Sequence, residues 1–279
     1  MERRYVVGIG PGKSGSTWLY TFLRSSREVC CSNVKETDYF LSKSVPNETE
    51  YLQRFFPSRQ QQRLFCEVSN TYLYHPDFTA RAAALGCKIE FITILRDPID
   101  RAVSHVAHLM RNGKKFNCFA DALYESPDIL TRGLYASYLK NFRNLPPNLN
   151  LHLLSFDDLA RDEAVFQQSL LVRLGMNADM LTDDRSRRFS RAVARNKYIA
   201  RLTKTMARQV RRAGLGSVVQ TIKDGPVPSI LYKQGGIETD LSVEPSVLHF
   251  MRDFYSEADR KLQLEWGIDT SGWQSQSNV

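Results

Sequence analysis

The sequence of 279 residues is poor in cysteine and has no long hydrophobic run. Its five cysteines are an odd number and form no C-x-x-C pair or Cys/His spacing, so we expect neither a disulfide framework nor a zinc site. The thiols are expected to be reduced and to pack as small apolar groups. A membrane span needs about 18 consecutive apolar residues, and the sequence offers none. Internal repeats are also absent, and only the tail, 274–279, is expected to be disordered.

Acidic residues are in the minority, which leaves a net charge of +8. A basic surface suits an anionic ligand or substrate. Much of the excess lies in 185–212, where the bases are spread around an expected helix with few aromatic residues between them, so nucleic-acid binding is not expected. We also expect no secretory leader, because no apolar segment precedes the strand-like YVVGIG near the start of the given sequence. We therefore expect a cytoplasmic protein.

Strand-like and helix-like segments alternate along the chain, which predicts an α/β fold. We expect one domain over residues 1–273, with a central parallel sheet flanked by helices on both faces. Ligands of such sheets bind beyond the carboxyl ends of the strands. The expected strands are 4–10, 28–33, 63–69, 88–95 and 149–156, and the expected helices are 16–25, 48–56, 77–85, 98–111, 132–142 and 164–174. Asn47 is expected to cap the second helix, and Gly175 to close the last.

A glycine-rich segment, GIGPGKSGSTWLYTFL at 8–23, follows the first expected strand. Its glycines let the backbone turn N–H groups inward, and the next helix presents its positive end to the same point. The glycines concerned are Gly10, Gly12 and Gly15, and the side-chain donors are Lys13, Ser14, Ser16 and Thr17. The segment therefore predicts a cradle for phosphate.

The cradle departs from the loop of P-loop nucleotide hydrolases, G-x-x-x-x-G-K-[ST]. Valine stands at position 7, where that pattern has its first glycine. The strongest expected strand ends in Arg96 rather than in a carboxylate that would hold magnesium. Arg96, with Ser104 on the next helix, instead predicts a second phosphate site and no metal site. Two anion sites of this kind imply a nucleotide with two separate phosphate groups.

These segments together resemble the sulfotransferase family. PGKSGSTWL is similar to its 5′-phosphosulfate loop, P-K-S-G-T-T-W-L, and LRDPIDRAVSH to its 3′-phosphate motif, R-D-P-x-x-R-A-x-S. KETDYF, EVSNTYLYHP, RGLYASYLKNF and MRDFYSEADRKL followed by DTSGW resemble segments of the glycan (heparan sulfate type) branch. The resemblance extends from residue 5 to residue 273. Ser16 replaces the usual threonine, and Asn70 stands where proline is common.

The resemblance implies a co-substrate, 3′-phosphoadenosine 5′-phosphosulfate (PAPS), which leaves as adenosine 3′,5′-bisphosphate (PAP). Lys13 would stabilise the bridging oxygen in the transition state, and Glu36 would be the general base. Ligands of the 5′-phosphate would be Gly12, Lys13, Ser14, Gly15, Ser16 and Thr17. Arg96 and Ser104 would bind the 3′-phosphate, and Trp18 would stack on adenine. Only Lys233 is available for the basic K-G-R loop of the family, whose arginine is missing.

Several alternatives stand beside these roles. Glu36 could form a salt bridge with Lys35, Trp18 could be a core residue, and Arg101 is expected to pair with a carboxylate. Competing bases are His75, His105, His108 and Glu67, of which Glu67 could instead orient the acceptor or Lys13.

The favoured activity is in-line transfer of a sulfuryl group to a hydroxyl, or an amine, of a glycan or a small natural product. The alternatives are a P-loop-type kinase that uses ATP and magnesium, and a binding protein without catalysis.

Overall fold

The computed structural model describes residues 3–42, 44–59, 62–181, 192–194, 232–234 and 241–273. These residues fall into two compact units. Unit 1 takes the described parts of Met1–Arg96, Tyr135–Asp184 and Ala258–Asp269, and unit 2 takes the rest. The prediction of one domain over residues 1–273 stays a prediction.

Unit 1 is built on a five-stranded parallel sheet with the order β2-β3-β1-β4-β5. The first strand lies in the centre, so the loop that follows it opens at the middle of the carboxyl edge. This arrangement confirms the predicted α/β fold with a central parallel sheet. The strands are β1 Arg4–Gly10, β2 Val29–Cys31, β3 Leu64–Val68, β4 Lys88–Leu95 and β5 Leu149–Ser155.

One face of the sheet is covered by an aliphatic core. Helix α1 (Ser16–Arg24) buries Leu19 and Leu23 against Val6 and Ile92 of the two central strands. Helix α9 (Glu163–Leu174) joins the same cluster and ends at Gly175, whose φ of 58° closes the helix as predicted. Burial of this stripe fixes α1, and with it the loop that precedes α1, on the sheet.

The opposite face of the sheet is covered by stacked aromatic rings. Tyr5 of β1 stacks on Phe65 of β3 with ring centroids 5.3 Å apart, and it contacts Tyr51 of helix α2 (Glu48–Phe55). The side chain of Asn47 accepts a hydrogen bond from the backbone N–H of Glu50, which confirms the predicted cap of α2. These rings pack α2, which lies between β2 and β3 in the sequence, against the sheet.

Most helix bounds agree with those predicted from the sequence, and those of α4 (Pro98–Arg111) agree at both ends. The segment 132–142 is an exception, because its α-helix covers only Tyr135–Leu139 and a 3₁₀ turn follows. Gly133 explains the late start: a Cβ there would lie 2.6 Å from the Tyr255 ring, so the glycine marks a close approach. Four helices were not predicted, namely α5, α6, α8 and α10. The remaining bounds are α3 Phe78–Ala83, α4 Pro98–Arg111, α5 Phe119–Glu125, α6 Asp128–Thr131, α7 Tyr135–Leu139, α8 Phe156–Arg161 and α10 Pro245–Trp266.

Unit 2 holds α4 to α6, the first part of α10 and a small antiparallel pair, β6 Ala192–Ala194 with β7 Tyr232–Gln234. Asp97 caps α4, its Oδ1 accepting from the N–H of Ile99 at 2.7 Å. Arg101 is buried, and its guanidinium donates to the carbonyl of Ile129. The expected carboxylate partner of Arg101 is therefore wrong, because a buried turn supplies the acceptor instead.

Two further expectations concern membrane spans and cysteines. In the described part of the chain, no helix has both the length and the apolar character required to cross a membrane. The five cysteines are present as free thiols. Residues 192–194 form a strand rather than part of the expected basic helix, and the remainder of 185–212 lies outside the described residues.

Candidate functional site

The loop between β1 and α1 is held in a conformation that only small or strained residues adopt. Gly10 and Gly15 have φ of 104° and 86°, and Lys13 shares the left-handed region with φ of 75°. A Cβ on Gly10 would collide with the carbonyl oxygen of Asn70, and one on Gly15 would lie 3.2 Å from Leu159. The glycines are therefore required for the close passage of this loop.

The start of α1 has the chemistry of a phosphate site. Gly15 is the N-cap and offers no side chain, and the first turn of α1 contains no acidic residue. Ser14 is 1% exposed, and its hydroxyl has no hydrogen-bond partner among the described residues. Free backbone N–H groups, a positive helix end and a buried unpaired hydroxyl all suit an anion. The residues of the loop thus fit a bound phosphate group.

Arg96 lies against this loop. Its Nη1 donates to the carbonyl of Lys13 at 3.4 Å, and its guanidinium lies 4.7 Å from the ring centroid of Phe156. The hydroxyl of Tyr135 donates to the carbonyl of Arg96 at 2.8 Å, which fixes the backbone at the end of β4. The 3′ and 5′ oxygens of a nucleotide belong to one ribose, so their phosphates lie close together. The structure places the Arg96 guanidinium against the backbone of Lys13, and the binding of two phosphates by these residues stays a prediction.

Glu36 is the centre of a bonded group beside the cradle. Its Oε1 accepts from Lys35 Nζ at 2.7 Å and from Asn70 Nδ2 at 2.6 Å, and its Oε2 accepts from the Asn70 N–H at 2.8 Å. Lys35 Nζ also donates to Ser16 Oγ, at 3.1 Å. A chain of contacts thus runs from the first residue of α1 to the candidate base. The Lys35–Glu36 salt bridge exists, and it is part of the site.

The backbone that carries Glu36 is strained and tightly held. Glu36 and Asp38 have φ of 63° and 50°, values that are unusual for residues with a side chain. The N–H of Glu36 donates to Val68 at 2.9 Å, and that of Asp38 donates to Ser69 Oγ at 3.2 Å. Val68 at the end of β3 and Ser69 after it therefore fix the turn on both sides of Glu36.

Glu67 of β3 stabilises this turn by accepting a hydrogen bond from Thr37 within it. It is 1% exposed and accepts hydrogen bonds from four hydroxyl groups. Burial raises the pKa of its carboxyl from 4.5 to about 7, although the hydroxyl donors oppose this shift. The donors are Thr37, Tyr51 at 2.7 Å, Tyr72 at 3.0 Å and Ser69 at 3.2 Å. The oxygens of Glu67 are engaged in the interior, and its alternative roles as a base or in orienting the acceptor or Lys13 stay predictions.

Other candidate residues lie apart from this group. Trp18 stacks on Phe22 with centroids 5.0 Å apart, and its indole N–H donates to a carboxylate oxygen of Glu163 at 2.8 Å, so packing and this hydrogen bond already engage much of the ring. Its stacking on adenine stays a prediction. Thr17 is exposed at the start of α1. Ser104, His105 and His108 are half-buried on α4 in unit 2. Lys233 lies in β7, where only the backbone is described. His75 follows a 3₁₀ turn in unit 1.

Lys35 and Asn70 make contacts with Ser16 and Glu36 that the sequence does not indicate. From the sequence, Lys35 is expected only as a salt-bridge partner, and Asn70 stands out only as a departure from a motif. A proline at position 70 could offer neither of the hydrogen bonds that Asn70 donates to Glu36. Polar residues directly after a strand were the available signal for Asn70.

Within the described residues, no three His, Cys, Asp or Glu side chains lie close enough to hold a metal ion. The basic residues of this part of unit 1 are Lys13, Lys35 and Arg96, and Lys35 is paired with Glu36.

Comparison with known proteins shows the family of the chain. The family described as "Sulfotransferase domain" matches residues 4–217. The chain is 27% identical over 190 residues to the Homo sapiens protein "Bifunctional heparan sulfate N-deacetylase/N-sulfotransferase 3", covering 60% of this chain and 22% of that protein. It is 34% identical over 107 residues to "Bifunctional heparan sulfate N-deacetylase/N-sulfotransferase 4" of Mus musculus, covering 36% and 12%. The chain spans less than a quarter of the length of these two relatives.

A solved structure has the same fold. The "Sulfotransferase from Alicyclobacillus acidocaldarius" superposes with a TM-score of 0.67 at 18% identity, covering 98% of this chain and all of that one. The family match includes the loop, Glu36 and Arg96, and it favours sulfuryl transfer over the kinase alternative. The resemblance seen in the sequence is thereby confirmed: the chain belongs to the sulfotransferase domain family.

Proposed function

We propose that this chain binds PAPS at the carboxyl edge of the sheet and transfers its sulfuryl group to a hydroxyl or amine of an acceptor. The observation that carries the proposal is the group formed by the β1–α1 loop, Lys35, Glu36 and Arg96. It combines a cradle for a phosphate, a base and a guanidinium within one set of contacts.

The donor would be held at its two phosphates. N–H groups of Gly12 to Thr17 and the hydroxyls of Ser14 and Ser16 would bind the 5′-phosphate at the helix end. The planar fork of Arg96 suits the 3′-phosphate, and its contact with the Phe156 ring restricts the orientation of that fork. Ser104 and Lys233 remain candidate ligands of the 3′-phosphate by resemblance.

The reaction would be a single in-line displacement. The acceptor oxygen or nitrogen forms a bond to sulfur while the bond from sulfur to the bridging oxygen breaks. The electron pair of that bond stays on the 5′-phosphate of PAP, where the ammonium group of Lys13 stabilises it. The acceptor proton passes to Glu36. Among the described residues, its Oε2 accepts only from the Asn70 N–H and keeps room for a second donor.

The acceptor would be a glycan or a small natural product. The two relatives bear names that refer to heparan sulfate, and the net charge of +8 suits an acidic saccharide. We propose that no metal takes part and that the protein is cytoplasmic.

Two measurements test the proposed function. PAP should raise the melting temperature in the presence of a chelator, because a ligand that binds only the native state stabilises it. Adenosine 5′-monophosphate, which lacks the 3′-phosphate, should do so much less. Radiolabelled sulfate should then pass from PAPS to N-desulfated heparan sulfate or to members of a panel of small alcohols. A protein that responds to ATP with magnesium but not to PAP would contradict the proposal.

A further inference from the structure

We propose that Lys35 is a second cationic ligand of the sulfuryl group, acting between the phosphate cradle and the base. This inference rests on the proposed function. It assigns to Lys35 a role in recognising PAPS that Lys13 alone does not fill.

The first observation is the position of the Lys35 ammonium group. Nζ lies 3.1 Å from Ser16 Oγ, at the first residue of α1, and 2.7 Å from Glu36 Oε1. In an in-line displacement the acceptor, the sulfur and the bridging oxygen are aligned, with the base at one end and the 5′-phosphate at the other. A group that contacts both the phosphate site and the base therefore lies level with the sulfur.

The second observation is an unused donor. An ammonium group has three N–H bonds, and Lys35 uses two of them, for Ser16 and Glu36, among the described residues. The side chain is only 19% exposed, so water has limited access to it. A partly desolvated ammonium with a donor to spare interacts strongly with an anionic oxygen.

The third observation is that neighbouring contacts hold Lys35 in this position. Glu36 is held by Asn70 and by the backbone of Val68, so the anion that draws Lys35 towards the cradle cannot move away. Lys35 is therefore preorganised before the donor binds, which is the condition for strong transition-state stabilisation.

The positive charge of Lys35 would stabilise the three equatorial oxygens of the sulfuryl group. As the bond to the acceptor forms and the bond to the bridging oxygen breaks, the third N–H of Lys35 would donate to one of them. Lys13 would stabilise the bridging oxygen, so the two lysines would interact with different oxygens of the donor.

The test compares the affinities for PAPS and PAP, which differ only in the sulfuryl group. Calorimetry at low temperature gives the two dissociation constants for the wild type and for Lys35→Met. Loss of one charged hydrogen bond should weaken PAPS binding about 10- to 100-fold and leave PAP binding within about twofold. Turnover should fall by a similar factor. Lys35→Arg, which keeps the charge, should restore part of the preference for PAPS.

The matched control is Lys140→Met, which removes an exposed lysine from unit 1 and should change neither constant. A purely structural role of Lys35 would disturb Ser16 and weaken both ligands equally, so an unchanged ratio of the two constants overturns the inference. If Lys35→Met fails to fold, Lys35→Gln takes the same measurements. A wild-type protein that binds neither ligand refutes the proposed function itself, which separates the two failures.

Discussion

Replacement of the buried Glu67 by glutamine should remove a specific pH dependence of stability. The pKa of Glu67 is about 7 in the folded protein, against 4.5 for an exposed glutamate. One pKa unit corresponds to about 1.4 kcal/mol, so the difference amounts to about 3 kcal/mol. Because the folded-state pKa is raised, folding favours the protonated form. This stabilisation is complete below pH 4.5 and is lost as the pH rises through 7.

The assay is urea unfolding of the wild type and of Glu67→Gln at intervals between pH 4.5 and 8.5. The free energy of unfolding of the wild type, minus that of the variant, should fall by about 3 kcal/mol across this range. Subtraction removes the contributions of all other titrating groups. The neighbouring Tyr51 and Tyr72 stay neutral throughout, because burial raises their pKa well above 10.

The control is Glu125→Gln, which changes an exposed carboxylate at the end of α5 and should give a flat difference. A flat difference for Glu67→Gln as well would refute the reasoning. It would mean that the four hydroxyl donors stabilise the carboxylate as well as water does.

Four further changes test the site. Lys13→Ala should reduce sulfuryl transfer by about 10²–10³-fold while circular dichroism stays unchanged, and near-normal turnover would refute the role of Lys13. Asn70→Pro deletes both donors to Glu36 and should lower kcat by about tenfold in the transfer assay, with an unchanged dissociation constant for PAP; an equal loss in Asn70→Ala would assign the effect to the side-chain amide alone. Arg96→Lys loses the planar fork, so PAP should bind about tenfold more weakly in calorimetry while adenosine 5′-monophosphate is unaffected. Gly15→Ala introduces a Cβ at φ of 86° and 3.2 Å from Leu159, which should lower the free energy of unfolding in urea by about 1–2 kcal/mol; unchanged stability would show that the loop relaxes.

The sheet could be predicted from the sequence because its strands are short runs of buried β-branched and aromatic residues. The bounds of β4 agree residue for residue, and those of α4 follow from Asp97 and Pro98, whose capping geometry is local. The segment 132–142 was less predictable, since the reason for its broken helix is the approach of Tyr255, which lies far away in the sequence. Long-range contacts of that kind leave no periodic pattern.

The site was predictable in its charged members and less so in their connections. Lys13, Glu36 and Arg96 stand in motifs, and each motif follows a strand. The contact of Lys35 with Ser16 joins two segments 19 residues apart, and no spacing rule connects them. The burial of Glu67 was hidden for a different reason. A glutamate in a strand reads as exposed until the four hydroxyl groups that satisfy it are brought together by folding.

The left-handed backbone at Lys13, Glu36 and Asp38 has a consequence for engineering this protein. Each of these residues costs the folded state about 1 kcal/mol that glycine would not. A selection for heat resistance alone should therefore enrich glycine at these positions and erase the ammonium and carboxylate groups along with the strain. Variants selected for heat resistance would lose catalysis through changes at these three positions. A library screened only for solubility or melting temperature should therefore hold them constant.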